Sequence, residues 1–260
     1  MSIALTRPVS DSLAACELTY VKRAPIDVDL ARRQHQAYEE ALRQLGCLVV
    51  ALPAAPELPD SVFVEDLALV LDEVGILTRP GAASRRPEAP AVEETLSRYR
   101  PILRIEPPGT LEGGDILRLG RTIFVGRSGR SNDQGIRQLT ALVAGLGYVV
   151  RPVALRGCLH LKSAVTAITP DRVLLNPAWV APESIEGWAW IAVAPGEGHA
   201  ANALRIGDGL IYPASFPRTL EMLSRMAVSV LPVDVTEIQK AEGAVTCCSL
   251  VFEERPRARE

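Results

Sequence analysis

An internal repeat narrows the folds open to this chain more than any other part of its sequence. Polar residues at equivalent places are separated by 47, 48, 42 and 45 positions; they are Glu65, Glu112, His160, Asn202 and Cys247. A repeat of this length indicates one supersecondary unit copied along a chain. Each copy here predicts two strands, a helix and a third strand.

Four such units follow one another, each with its helix between the second and third strands. Apolar and β-branched runs predict strands at 61–71, 75–79, 102–105, 115–119, 122–125, 148–153, 161–168, 172–175, 190–193, 202–206, 210–212 and 228–233. Helices are predicted at 88–99, 133–146 and 217–226, and a short helix with a weak sequence signal around 182–188. Asn132 and Ser215 are the predicted N-caps of two of these helices.

The two chain ends are predicted to share a fifth unit. A helix at 28–45, with His35 on its solvated face, and a buried strand at 47–52 stand at the beginning of the chain, and a strand at 245–252 would complete them. Radial repetition protects sheet edges and leaves a central channel. We therefore expect an α/β fold, a five-bladed α/β-propeller formed by a single domain over 1–260. A doubly wound α/β sheet is the alternative.

Composition excludes several classes of partner. The formal net charge of -3 and the sequence pI near 5.8 give no reason to expect binding to nucleic acid. No uncharged apolar stretch approaches the roughly 20 residues that span a bilayer, and the first residues lack the pattern of a signal peptide. Five cysteines with no apparent pairing framework suit a reducing compartment. We expect a cytoplasmic protein without membrane contacts.

Two adjacent cysteines occupy the last predicted strand. Side chains alternate across a strand, so Cys247 and Cys248 should face opposite ways. One thiol could then face a cavity as a positioned nucleophile while the other packs behind it. The alternative is a pair of buried structural cysteines, because free cysteine is among the most buried residue types.

Three further polar clusters lie at repeat-equivalent places. After Asp60, the acids Glu65 and Asp66 interrupt an apolar strand. Two buried acids of this kind require a cationic partner. The alternative is that they are exposed charges on an edge strand. Glu112 and Asp115 flank a glycine pair that permits close approach to the backbone, or that forms an ordinary turn. The third cluster places three polar residues on one face, Cys158, His160 and Lys162, and a satisfied core histidine is its alternative explanation.

Taken in order, the motifs SVFVEDLALV, TRPGAASRR, LEGGD, FVGRSGRSN, LHLKS and VTCCS resemble those of the dimethylarginine dimethylaminohydrolase family. This family belongs to the guanidine-modifying superfamily, whose members have the five-bladed α/β-propeller called the pentein fold. The resemblance implies hydrolysis of Nω-methylated arginine to citrulline and methylamine or dimethylamine through a covalent cysteine–thiouronium intermediate. A related guanidino hydrolase, such as an arginine deiminase, is the runner-up.

The resemblance also implies a role for each matching residue. Cys247 would be the nucleophile, His160 the general acid and base, and Glu112 the carboxylate that holds the histidine. The implied substrate contacts are Leu18 in a lid, Asp60, Glu65, Asp66, Arg85, Arg130 and Ala241. Among these, Arg85 and Arg130 would bind the substrate carboxylate. The resemblance implies no cofactor and no catalytic metal, with methylated arginine as the small-molecule partner and a homodimer as a further option.

Two readings from other classes compete with an enzyme. A structural zinc site could use Cys158, His160, Cys247 and Cys248, although no Cys-x-x-Cys spacing exists. An inhibitory zinc on Cys247 and His160 fits the sequence better. The other reading is a silent guanidine-binding protein, which the intact set of Cys, His and carboxylates argues against. The nearby carboxylates also predict that the pKa of the Cys247 thiol is raised.

Overall fold

The computed structural model describes residues 1–226 and 228–254. Within these ranges the chain forms five three-stranded sheets, and each has one antiparallel and one parallel strand pair. The strands are β1 (Ser2–Thr6), β2 (Leu48–Ala51), β3 (Ala68–Val70), β4 (Gly75–Leu77), β5 (Ile102–Arg104), β6 (Ile116–Leu119), β7 (Thr122–Arg127), β8 (Val149–Ala154), β9 (Val165–Ala167), β10 (Arg172–Leu175), β11 (Ala189–Ala192), β12 (Leu204–Ile206), β13 (Gly209–Pro213), β14 (Ser229–Val233) and β15 (Leu250–Glu253). The strand-strand-helix-strand repeat of a five-bladed α/β-propeller is confirmed.

A helix connects the second and third strands of each unit, and two further short α-helices, at 161–164 and 236–240, precede first strands. The α-helices are α1 (Val28–Gln44), α2 (Ala89–Leu96), α3 (Asp133–Ala144), α4 (Leu161–Ala164), α5 (Pro217–Ser224) and α6 (Thr236–Lys240). The short 3₁₀ helices are Leu13–Ala15, Val64–Leu67, Ala83–Glu88, Gly113–Asp115 and Pro182–Ile185. In the fourth unit the predicted helix is only this last 3₁₀ turn.

The predicted helix caps have different outcomes. Asn132 caps α3 as expected, because its side chain accepts the Gly135 N–H at 2.8 Å. Ser215 does not cap α5; the N-cap is Phe216, and the Ser215 hydroxyl instead accepts a hydrogen bond from the Gln239 side chain at 2.9 Å. The prediction for Ser215 was wrong because Pro217 at the start of α5 moved the cap by one residue.

The strand predictions at 61–71, 161–168 and 245–252 were too long. Val64–Leu67 is a 3₁₀ helix, Leu161–Ala164 is a helical turn, and residues 245–248 form turns ahead of β15. Local apolar composition predicts strands there, but groups from neighbouring units bond the backbone and hold it in turns. The polar residues therefore stand just before the first strand of each sheet.

The two ends of the chain meet in one sheet of order β15-β1-β2. β1, which the sequence analysis missed, lies between the other two strands, with Leu5 opposite Leu250. Ile3, Leu5 and Phe252 pack in the same apolar cluster. The prediction of a buried β2 was wrong, since Leu48 is 46% exposed.

His35 lies in α1 but is buried, contrary to the prediction of a solvated surface position. Its ring packs against Tyr38, its Nδ1 lies 3.8 Å from Glu39 Oε1, and burial lowers its pKa. Of the charged neighbours in sequence, Arg33 and Glu40 are exposed, whereas Glu39 lies beside the imidazole. Among the helices at 1–226 and 228–254, none combines the length and apolar character needed to cross a bilayer.

Candidate active site

Hydrogen bonds join each unit to the next at the turns that precede the first strands. In four links the donor is a backbone N–H, and in the fifth it is the side-chain amide of Asn202. The acceptors are backbone carbonyl oxygens, carboxylate oxygens and the Asn202 amide oxygen. The five links are Glu65 N to Cys247 O (3.2 Å), Gly114 N to Asp66 Oδ1 (2.9 Å), Leu161 N to Asp115 Oδ1 (3.0 Å), Asn202 Nδ2 to Lys162 O (3.0 Å) and Thr246 N to Asn202 Oδ1 (3.1 Å). This closed ring brings residues from all five units together.

The glycine pair Gly113-Gly114 is required by this packing. A Cβ on Gly113 would lie 1.9 Å from the Glu65 carbonyl oxygen, and one on Gly114 would lie 2.5 Å from His160 Nδ1. Any larger residue would displace either the backbone or the imidazole. The pair thus permits the close approach that the sequence suggested, and His160 is one of the groups that approaches.

His160 is buried among carboxylates. Its Nε2 lies 2.7 Å from Glu112 Oε2, and its Nδ1 lies 3.9 Å from Asp66 Oδ1. Burial acts to lower the pKa of His160, but the charges of Asp66, Asp115 and Glu112 raise it to about 9. The imidazole is therefore protonated at neutral pH and can donate a proton.

Cys247 and Cys248 have different surroundings. Cys247 is half-buried and lines the same pocket as His160, whereas Cys248 is buried in an apolar cluster with Val245 and Ile238. Burial, together with the charges of Glu65 and Asp66, raises the pKa of the Cys247 thiol to about 12. The thiol is neutral at pH 7, in agreement with the direction predicted from the sequence.

The pocket that holds Cys247 and His160 has a cavity volume of about 20 Å³. This is room for about one water molecule. Phe63, Leu159 and Gly243 form its apolar part, and the remaining lining is mostly charged. A ligand larger than water can enter only if part of the wall moves.

The chain is similar to proteins of one named family. The family model described as N,N dimethylarginine dimethylhydrolase, eukaryotic, matches residues 18–177. The N(G),N(G)-dimethylarginine dimethylaminohydrolase of Streptomyces coelicolor is 41% identical over 254 residues, 96% of this chain and 97% of that protein. The chain belongs to the dimethylarginine dimethylaminohydrolase family. The protein of the same name from Pseudomonas aeruginosa is 38% identical over 228 residues, 87% of this chain and 90% of that protein.

The fold agrees with this membership. The structure of the dimethylarginine dimethylaminohydrolase from Pseudomonas aeruginosa, solved as a cysteine-to-serine mutant complexed with citrulline, superposes with a TM-score of 0.91 at 36% identity. The match covers 96% of this chain and 98% of that one. The alternative of a doubly wound sheet is excluded for the described residues by the five separate sheets.

Most of the residues that the family resemblance singled out line the pocket. Eight do so: Asp60, Asp66, Arg85, Glu112, Arg130, His160, Ala241 and Cys247. Glu65 does not; its carboxylate bonds Lys162 and accepts a 2.8 Å hydrogen bond from Thr246, and it lines another cavity with them. Leu18 also lies outside the pocket lining and packs against an apolar cluster, while its neighbour Glu17 lines the pocket.

The two predicted carboxylate-binding arginines differ in their freedom. Arg85 is buried, with Nη1 2.5 Å from Asp66 and Nη2 2.9 Å from Glu88, and it also donates to the Asp60 and Phe63 carbonyls. Arg130 lies 3.7 Å from Glu112 and donates to the Thr19 hydroxyl at 3.1 Å. Arg130 therefore makes fewer contacts than Arg85, so fewer contacts would have to break for it to bind a ligand.

A loop at residues 16–23, here called the lid, borders this pocket through Glu17. Glu17 N–H donates to Asp60 at 3.1 Å, and Glu242 accepts hydrogen bonds from Thr19 N (2.6 Å) and Tyr20 N (2.7 Å). Among the residues described, Glu242 is the sole non-glycine residue with a positive φ, at 61°. Such a backbone costs about 1–3 kcal/mol, and the two bonds to the lid offset that cost.

Glu242 and Asp115 carry no role predicted from the sequence. Asp115 accepts hydrogen bonds from Ser128 (2.5 Å), Ser131 (2.6 Å) and Leu161 N, and burial raises its pKa to about 6. It fixes the start of α4, directly after His160. The position of Asp115 in the LEGGD motif could have identified it from the sequence. Glu242 lies in no motif, and its neighbours in sequence do not indicate its role.

A structural zinc site built from four Cys and His residues is not supported. Cys158 Sγ bonds the His160 carbonyl oxygen, and Cys248 is buried in the apolar cluster. The one metal-compatible group among the described residues is Asp66, Glu112 and His160, whose ligand atoms all lie within 4.8 Å of one another. The raised pKa of His160 means that a metal ion would have to displace a proton to bind this group at neutral pH.

Proposed function

We propose that this chain hydrolyses Nω-methylated arginines, namely monomethylarginine and asymmetric dimethylarginine, to citrulline and methylamine or dimethylamine. The observation that carries the proposal is one pocket lined by both a thiol and an imidazole, with the imidazole held by a buried carboxylate. The names of its relatives and the citrulline in the Pseudomonas aeruginosa structure support the same reaction.

The roles of the pocket residues are part of this proposal. Cys247 is the nucleophile and His160 the general acid and base, with Glu112 as its positioning residue. Asp66 lies beside His160 and binds the guanidinium, and His160 and Arg85 hold the pKa of its carboxyl below the usual range despite burial. A carboxylate of this kind can orient a guanidinium through charge-assisted hydrogen bonds.

Contacts to the amino-acid end of the substrate fall on the lid side of the pocket. Asp60, the Ala241 backbone and the Leu18 carbonyl remain the proposed contacts for the amine, and Arg130 for the carboxylate. The ion pairs of Arg85 favour a role in holding Asp66 and Glu88 in place. Glu65 acts through Thr246 and Lys162, which fix the turn before Cys247.

The reaction proceeds in two halves. The Cys247 thiolate forms a C–S bond to the guanidinium carbon, which gives a neutral tetrahedral adduct. The C–N bond then breaks while the His160 imidazolium donates its proton to the leaving amine, and a cationic thiouronium remains on Cys247. A water molecule next attacks the thiouronium carbon through its oxygen, and neutral His160 takes a proton from that water. Collapse of the second adduct releases citrulline and the thiol. General acid-base help of this kind contributes about 10²–10⁴ in rate.

The thiolate is formed when the substrate binds, and the thiol proton leaves to solvent because His160 already carries a proton. A guanidinium about 4 Å from sulfur contributes roughly 4 kcal/mol of attraction at an effective dielectric near 20. This corresponds to about three pKa units, or a roughly thousandfold larger thiolate fraction. The neutral resting thiol, whose pKa is raised to about 12, thus becomes reactive when the cation is in place.

A side-by-side assay of citrulline formation tests the proposal. The substrates are asymmetric dimethylarginine, monomethylarginine, arginine and agmatine. We expect turnover of the methylated substrates and poor turnover of agmatine, which has no carboxylate for Arg130. Faster turnover of arginine would favour an arginine deiminase, and no turnover of any of the four would favour a silent guanidine-binding protein.

Inhibitory zinc on Cys247 and His160, a homodimer and a cytoplasmic location stay predictions. Zinc would compete with the proton on His160, so inhibition should strengthen as pH rises toward 9. Citrulline formation measured with and without a chelator tests the zinc prediction.

A further inference from the structure

A second cavity of about 300 Å³ lies directly beside the catalytic pocket. The two share three lining residues, Leu159, Glu242 and Gly243. The lid residues Tyr20 and Val21 form part of its wall. This volume, here called the side cavity, reaches the lower end of the range found for small-molecule sites.

The lining of the side cavity suits an alkyl group with an amine at one end. Val21, Leu159, Phe216 and Ala244 provide apolar surface. Glu242 and the side chains of Ser163, His199, Asn202 and Gln239 add polar groups, some of them hydrogen-bond acceptors. The catalytic pocket, in contrast, has room for about one water.

The proposed reaction, on which this inference rests, directs the leaving amine toward this cavity. His160 donates its proton to the departing nitrogen, so the alkyl groups on that nitrogen lie near His160. Leu159 precedes His160 in the chain and borders both cavities. Space for a group larger than methyl exists on the far side of Leu159.

Release of the amine also needs a route other than the lid. After the first half-reaction the amino-acid part is still bonded to Cys247 as thiouronium and occupies the space beneath the lid. In the structure without substrate, Asp60 and Glu242 hold the lid over the pocket side by hydrogen bonds to its backbone N–H groups. The amine must depart, and a water must arrive, before the second half-reaction.

We propose that the side cavity receives the alkylamine part of the substrate, and that Leu159 is the residue that separates it from the catalytic pocket. The occupant is the N-alkyl group before the C–N bond breaks and the amine afterwards. The neutral amine carries the proton given by His160, so the step needs no further reactant. Substrates with N-alkyl groups longer than methyl should therefore be accepted.

The test compares kcat/KM for Nω-butyl-L-arginine with that for Nω-methyl-L-arginine in each variant. Leu159→Ala enlarges the opening between the cavities, and the butyl-to-methyl ratio should rise about tenfold. Gln239→Phe puts a larger side chain into the lining of the side cavity, and the ratio should fall about tenfold. Gln239→Ala is the matched control, since it removes the same bond to Ser215 without filling the cavity.

The outcomes separate the inference from the proposed function. If the unmodified protein does not hydrolyse Nω-methyl-L-arginine, the proposed function fails. If it does, but both Leu159→Ala and Gln239→Phe leave the ratio within about threefold of the unmodified value, the side cavity is not used and the inference is overturned. Should Gln239→Phe not fold, as judged by circular dichroism, the rise with Leu159→Ala alone decides.

Discussion

At the scale of single residues, two neighbouring thiols have been given different tasks by their surroundings. Cys247 lines the pocket with His160, and Cys248 packs in the apolar cluster with its thiol 3.6 Å from the Ala244 carbonyl oxygen. Two cysteines that are adjacent in the chain therefore need not have the same chemistry. What differs is the partner that each sulfur meets.

Replacing each cysteine by serine separates these tasks. Cys247→Ser should abolish citrulline formation, because a hydroxyl cannot be ionised by the substrate to the extent that a thiol can. Cys248→Ser should keep most of the turnover, with a loss of stability of about 1–3 kcal/mol from the buried hydroxyl. Turnover with circular dichroism as a folding control measures both. Full activity in Cys247→Ser would contradict the assigned nucleophile.

Glu112 should set the pH range of the first half-reaction. Its carboxylate contributes to the raised pKa of His160, so Glu112→Gln should lower that pKa by about one unit or more. Because only the imidazolium can donate a proton, amine release should then decline at lower pH than in the unmodified protein. A single-turnover pH profile measures the change, and the exposed Glu94→Gln is the control. If the alkaline limb of the pH profile lay at the same pH in Glu112→Gln as in the unmodified protein, Glu112 would not act through His160.

At the scale of elements, the lid is held by groups that also line the pocket. Asp60 and Glu242 accept its backbone N–H groups, and Arg130 donates to the Thr19 hydroxyl. Since the pocket has room for about one water, substrate entry requires some of these bonds to break. The strained backbone of Glu242 persists because both bonds to the lid require its carboxylate there.

Glu242→Gln should loosen the lid without altering the rest of the fold. Hydrogen bonds to a charged acceptor are stronger than those to a neutral one by roughly 1 kcal/mol. Amide exchange at Thr19 and Tyr20 should therefore be faster by about five- to tenfold. Hydrogen exchange read by mass spectrometry over the lid measures this, with exposed Glu221→Gln as the control. Equal exchange in both variants would show that Glu242 does not hold the lid.

At the scale of the whole molecule, the ring is closed by one sheet made from both chain ends. β1 pairs with β15 from Ser2 to Leu5, and the hydrogen-bonded turns join all five units on the inside. We propose that the chain therefore folds as a single domain. Each unit depends on its two neighbours, which makes partial unfolding costly.

Weakening the closing sheet should destabilise a unit far from it in sequence. Leu5 is fully buried, and Leu5→Ala should cost about 2–5 kcal/mol. The tryptophans all lie in the fourth unit, at 179, 188 and 190, so their fluorescence reports unfolding there. We expect the midpoints from fluorescence and from far-ultraviolet circular dichroism to fall together. Leu48→Ala, at an exposed position in the same sheet, is the control. If the fluorescence midpoint of Leu5→Ala equalled that of the unmodified protein, the units would unfold independently.

The sequence by itself determined the repeat, the order of elements within each unit and the set of Cys, His and carboxylate residues at equivalent places. These properties are local, since periodicity and composition are read over a few tens of residues. Asn132 as a helix cap and the glycine pair at 113 and 114 belong to the same class. Sequence reasoning also extended to ring closure, because the unpaired strand near the end matched the incomplete unit at the start.

Only the tertiary structure decided which polar groups meet. It placed Glu65 with Lys162 outside the catalytic pocket, engaged Arg85 in two ion pairs, buried His35 and turned predicted strands into helical turns. It also joined Glu242 to Thr19, 223 positions away. Hydrogen bonds and charge pairs of this kind join residues from distant parts of the chain, and their free energy outweighs the weak local preference of each segment.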